Sequence, residues 1–146
     1  MRLVVEVGLP VPPREAWDVL VAWETQAAWM QDVDRVTVES DTRAGVGTMI
    51  AVRTRVLNIP LFTERLEVIA WEPPHRLLMA HRSFIAGTGT WELEPAGSGS
   101  RLRWTEDIAL PVPLLGELAL AAYRPIMRLL MSRSMAALRR TIERAR

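Results

Sequence analysis

Three ionisable residues, Glu106, His81 and Glu64, stand where strand alternation calls for apolar ones. Over 101–110, Leu102, Trp104, Ile108 and Leu110 share one phase, and Arg101, Arg103, Thr105 and Asp107 share the other. The apolar phase must face inward, and it carries Glu106 with it. By the same counting, Leu77 and Met79 take His81 inward, while Phe62, Leu66, Val68 and Ala70 take Glu64. A carboxylate on an apolar face is costly unless it is paired or hydrated, so two chemistries are open. In the first, Glu106 is a salt-bridge partner near the sheet edge or lies past the covered part of its strand, Glu64 is structural, and His81 is a core or rim histidine with one hydrogen bond. In the second, Glu106 and His81 are a catalytic acid or base pair in a pocket, moving a proton on an enolisable ligand, with Glu64 as a polar ligand contact.

Whether the three meet depends on the turns. A tight turn centred on 97–98 pairs Trp91 with Trp104 and Gly89 with Glu106. A connection centred on Ile85 pairs His81 with Gly89, which puts Glu106, Gly89 and His81 in one row across three strands. At about 4.8 Å between strands, Glu106 and His81 are then roughly 10 Å apart at the backbone, over a glycine that leaves room between them. Glu64 becomes a diagonal neighbour of His81. One bulge would undo this register.

The elements that carry these residues read as follows. A first strand over 3–8 puts Leu3, Val5 and Val7 on one face and ends at Pro10, Pro12 and Pro13. A short helix over 13–21 carries Ala16, Trp17 and Leu20, and a second over 24–31 carries Ala27, Trp29 and Met30. Strands follow near 33–40, 47–57, 61–71, 76–83, 87–94 and 101–110, with turn residues at 44–47, 58–60, 72–74 and 95–99. In the strand at 47–57, Ile50, Val52, Thr54 and Val56 point inward. The last thirty or so residues are helical, with Met127, Leu130, Met131, Ser134, Leu138 and Ile142 on one side. Arg128, Arg133, Arg139, Arg140 and Arg144 take the other side, and Pro125 is expected to kink this helix or divide off a piece over about 114–122. Strands joined by short turns make an antiparallel meander, and the terminal helix is long enough to cover its apolar face. The expected class is α+β, in one domain spanning 1–146.

Composition removes much else. All 18 basic residues are Arg, so there is no Schiff-base or P-loop lysine, and the absence of Cys removes disulfides, thiol nucleophiles and thiolate metal sites. His75 lies in a turn and makes no metal pair with His81 without carboxylate help, so no metal is expected. Gly45 and Gly47 open no dinucleotide fingerprint, and no cofactor is expected either. A net charge of +1 gives no bulk attraction to nucleic acid. The N-terminus lacks a signal-peptide core, and the apolar stretch 108–123 is broken by Pro111, Pro113, Gly116 and Glu117. The expectation is a cytoplasmic protein with no integral membrane segment.

Several blocks resemble the START-like, Bet v 1-like helix-grip superfamily, within it the polyketide cyclase/dehydrase and lipid-transport (SRPBCC) group. They are Val-Pro-Pro-Arg-Glu-Ala-Trp-Asp-Val-Leu (11–20), Trp-Glu-Thr-Gln-Ala-Ala-Trp-Met (23–30) and Gly-Val-Gly-Thr (45–48). Trp-Glu-Pro-Pro-His-Arg-Leu (71–77), Gly-Thr-Trp-Glu-Leu-Glu-Pro (89–95) and Ser-Arg-Leu-Arg-Trp-Thr-Glu (100–106) complete the resemblance. It implies a curved seven-stranded antiparallel sheet gripping the last helix over a deep hydrophobic pocket. Such proteins bind lipids, sterols, polyketides, quinones or hormones, and some cyclise or dehydrate polyketides. The aromatase/cyclase branch is similar in the second helix and in Arg-Leu-Arg-Trp-Thr-Glu-Asp (101–107), and its pockets use an Arg and a Tyr; here most arginines fall on outward phases and the one tyrosine is Tyr123.

The expected partner is therefore a hydrophobic small molecule between sheet and last helix. Trp29, Met30 and the loops at 57–60 and 84–87 would frame the entrance. Ile50, Val52, Leu66 and Met79 would form one part of the wall, and Trp91, Trp104, Met127, Leu130 and Met131 the rest. The tryptophans and methionines fill ordinary cores equally well. Binding alone, polyketide cyclisation or dehydration by Glu106 and His81, and lipid or quinone delivery all fit, the last with the arginine face as a docking surface. A protein partner is left undetermined.

Overall fold

The computed structural model describes residues 1–56 and 58–146, and of Val56 the backbone only. The inward turn expected of Val56, and Leu57 of the expected entrance loop, lie outside what it describes. Strand β1 (Arg2–Leu9) leads into helix α1 (Pro13–Leu20), which starts on a proline at its first turn and buries Ala16, Trp17 and Leu20. The next segment, Trp23–Ala28, is a 3-10 helix rather than the α-helix expected over 24–31. Gln26 holds it in place, donating from its buried side-chain amide to the Leu20 carbonyl.

Six strands follow: β2 (Val33–Val38), β3 (Met49–Val56), β4 (Ile59–Glu72), β5 (Arg76–His81), β6 (Ala86–Ala96) and β7 (Gly99–Ala109). All pair antiparallel in the order β1-β7-β6-β5-β4-β3-β2, the expected meander with β1 returning to the far edge. The β3–β4 hairpin is tighter than the Asn-Ile-Pro segment suggested, since Ile59 and Pro60 already pair with Val56 and Arg55. Register shifts at Asp34 in β2 and at Leu61 and Ile69 in β4 bend the sheet into a half-barrel. The shift at Ile69 leaves Val68 opposite Met79 and Ala70 opposite Leu78. Directly opposed residues share a face, so Trp71, opposite Leu77, takes the inner side that alternation had assigned to Ala70. Trp71 packs edge-on against Trp17 at 5.1 Å.

Helix α2 (Leu115–Arg144) runs unbroken through Pro125, so the expected division near 122 does not occur. Its two halves behave differently. Met131, Ser134, Met135, Leu138 and Ile142 are buried, and the small Ser134 allows close approach, accepting a hydrogen bond from the Gln31 N–H at 3.0 Å. In the first half, Gly116 and Leu120 are buried but the inward Tyr123, Met127 and Leu130 are only half-buried, and Leu115, Leu118, Ile126 and Leu129 are exposed on another side of the helix. The arginine face is partly structural: Arg124, Arg128 and Arg139 donate to the carbonyls of Arg2, Val4 and Gly8 along the free edge of β1. Arg133 and Arg140 project to solvent. Among the described residues, no helix is long and apolar enough to cross a membrane.

Candidate ligand cavity

Where the first half of α2 stands off the sheet, a cavity of about 230 Å³ opens. Its sheet wall comes from alternate residues: Ile50, Val52 and Thr54 of β3, Phe62, Glu64 and Leu66 of β4, and Leu77, Met79 and His81 of β5. Gly89 and Trp91 of β6 and Trp104, Glu106 and Ile108 of β7 continue it. Helix α2 closes it with Leu120, Tyr123, Met127, Leu130 and Met131, and Met30 and Asp32 close the end before β2. Phe62 lines the cavity while 37% exposed, so the hollow reaches the surface beside β4. Ile85, in the loop expected at the entrance, also lines it.

Trp29 is placed elsewhere. It is 1% exposed and lies behind Trp91, ring centroids 6.1 Å apart, so it supports the wall without touching the hollow. Trp91 in turn meets Trp104 edge-on at 6.2 Å. The expected β6–β7 register holds, with Trp91 opposite Trp104 and Gly89 opposite Glu106. The β5–β6 register does not: Gly89 faces Met79, two residues from the His81 expected there. A two-residue slip preserves the faces, so His81 still points inward. It sits diagonally across from the Gly89–Glu106 row, opposite Leu66, with Glu64 its diagonal neighbour on β4.

The side chains close the gap. His81 Nε2 lies 3.0 Å from Glu106 Oε2, and His81 Nδ1 is hydrogen-bonded to Glu64 Oε1. Glu106 Oε1 accepts a 2.9 Å hydrogen bond from Trp104 Nε1. Gly89 makes the arrangement possible, because a Cβ there would lie 2.8 Å from Glu106 Oε1. Burial alone would push the His81 imidazole down, but the hydrogen bonds to Glu106 and Glu64 outweigh it and raise its pKa from 6.5 to about 9. At neutral pH His81 is thus an imidazolium donating to both carboxylates, and has no free nitrogen to serve as a base. Glu64 lines the cavity, and its Oε2 makes no hydrogen bond among the described residues.

Sequence reasoning missed Asp32 and Tyr123 as wall residues. Asp32 precedes β2 in a turn, where no periodicity assigns a side. Burial pushes its carboxyl up, and the negative charges of Glu106 and Glu64 add to the shift. Burial likewise raises the Tyr123 phenol, with a smaller contribution from Asp32. Tyr123 precedes Met127 by one helical turn, a spacing that could have placed it on the inner face.

Residues 1–143 match the family described as "Polyketide cyclase / dehydrase and lipid transport". No curated protein matches the sequence. Among solved structures, TTHA0849 from Thermus thermophilus is 19% identical over 99% of both chains, with a TM-score of 0.82. A START superfamily protein from Mycobacterium smegmatis is 11% identical over 99% of both chains, with a TM-score of 0.77. The Zhui aromatase/cyclase from a Streptomyces species is 14% identical over 99% of this chain and 94% of its own, with a TM-score of 0.79. At such identities these structures share the fold and nothing finer. The profile match over nearly the whole length, carried on a helix-grip fold, makes this chain a member of the polyketide cyclase/dehydrase and lipid-transport family.

Proposed function

We propose that the protein binds an apolar small molecule in the hollow between the half-barrel and α2, oriented by the Glu64–His81–Glu106 cluster. The observation that carries this reading is one cavity with apolar walls and its hydrogen-bonding groups converging from β4, β5 and β7. Apolar desolvation supplies the drive, at about 25 cal/mol per Å² of surface buried. Membership of the family supports hydrophobic ligand binding in general terms. Met127→Trp tests it by filling the hollow from the half-buried face of α2. Native mass spectrometry should find a retained small molecule, or added 2-methylnaphthalene, on the wild type and none on the folded variant. Equal occupancy on both would refute the assignment.

A second reading adds catalysis, the cyclisation or dehydration of a polyketide-like substrate. It is favoured by the Glu106 carboxylate, which is held by the Trp104 N–H and by the His81 imidazolium that Glu64 anchors in turn, and which as the base takes the proton from an enolisable carbon and returns it to the departing oxygen. Glu106→Gln should then lower turnover of a poly-β-ketone substrate by about 10²–10⁴-fold, with affinity nearly unchanged. If affinity falls in step with turnover, Glu106 is a binding group only.

A further inference from the structure

The charge complement of this cavity is one-sided. Carboxylates line it from three directions, Asp32 before β2, Glu64 on β4 and Glu106 on β7, and no arginine lines it among the described residues. The single cationic group, His81, has both ring nitrogens engaged by the two glutamates. Asp32 makes no ion pair among the described residues: Arg55, whose charge offsets part of the effect of burial on it, pairs instead with Asp34. Among the described residues, no side chain hydrogen-bonds the Asp32 carboxylate, whose one hydrogen bond is to the backbone of its own residue. A carboxylate in apolar surroundings is stabilised by a cation and destabilised by a further anion. The walls point the same way. Trp91, Trp104, Phe62 and Tyr123 present aromatic rings to the hollow, and the Trp104 N–H is already engaged by Glu106. Aromatic faces attract ammonium groups, most strongly where water is excluded.

Resting on the ligand-binding reading above, we infer that the cavity takes an apolar molecule ending in a protonated amine, received by Asp32 and the free oxygen of Glu64, and rejects the carboxylate of the same skeleton. The volume of about 230 Å³ lies below the roughly 300–1,000 Å³ of drug-sized pockets, which suits one or two fused rings.

Equilibrium dialysis at pH 7 with 2-naphthylmethylamine, 2-naphthylmethanol, 2-naphthoate and headless 2-methylnaphthalene tests this. The amine should bind at least tenfold more tightly than the alcohol, and the carboxylate more weakly than the alcohol. An amine no tighter than the alcohol, or a carboxylate equal to either, would overturn the inference while leaving apolar binding intact. Failure of all four compounds, the headless one included, would remove the ligand-binding reading and the inference with it. Asp32→Asn should shrink the amine-to-alcohol ratio at least threefold, and an unchanged ratio would overturn the role given to Asp32. Glu64→Gln, read by the same ratio, serves if Asp32→Asn does not fold, and the wild-type ratio stands without either variant.

Discussion

At the scale of single residues, the informative side chain is His81. Held between Glu64 and Glu106, it keeps its proton well above the pH at which a free imidazole loses it. Because its folded pKa of about 9 exceeds the 6.5 expected unfolded, its contribution to stability is fully present below about pH 6.5 and is lost as pH rises through about 9. The shift corresponds to a stabilisation on the order of 3 kcal/mol. Urea unfolding at pH 6.5, 8 and 9.5 should show that loss in the wild type, and His81→Gln should flatten the profile over this window. A flat wild-type profile would mean that the imidazole is not clamped. This cluster was half legible in the sequence. Alternation assigned all three residues to the inner face, because a strand's side chains have only two sides. The row could not be read, because the length of the β5–β6 turn set it.

At the scale of elements, α2 combines a tight half and a loose half. Pro125 sits between them with no N–H to give the Ala121 carbonyl, yet the helix continues. Pro125 is exposed, so Pro125→Ala removes no packing and restores a donor. It should stabilise the protein by about 1–3 kcal/mol, read from thermal melts. A lower melting temperature would show that the proline geometry is itself needed over the cavity. The sequence marked Pro125 as a kink or a division, and the division does not occur: burial of the later turns against the sheet outweighs one missing hydrogen bond. The arginines on the outer face were likewise visible as a stripe. Their docking on the β1 carbonyls was not, since it requires knowing that β1 ends up at an edge beside this helix.

At the scale of the whole molecule, helix and half-barrel meet firmly at one end and part at the other. Leu138 is completely buried in the tight end, whereas Met127 borders the hollow. Leu138→Ala should therefore cost about 2–5 kcal/mol by chemical denaturation, the range for deleting a packed core side chain. Met127→Ala should cost less than half as much, because it only enlarges a space that already exists. Equal losses would contradict the division into a closed and an open end.

From the sequence alone came the order of elements, the inward phase of nearly every strand, the helix-grip family and the exclusion of lysine and thiol chemistry. All of these follow from local periodicity, composition or recognisable blocks. Only the tertiary structure decided that His81 touches both glutamates, that Trp29 backs the wall instead of lining it, and that Asp32 and Tyr123 face the hollow. Those outcomes turn on strand register, bulges and the distance at which α2 settles, and such quantities belong to the packed chain, where contacts between distant segments set them together.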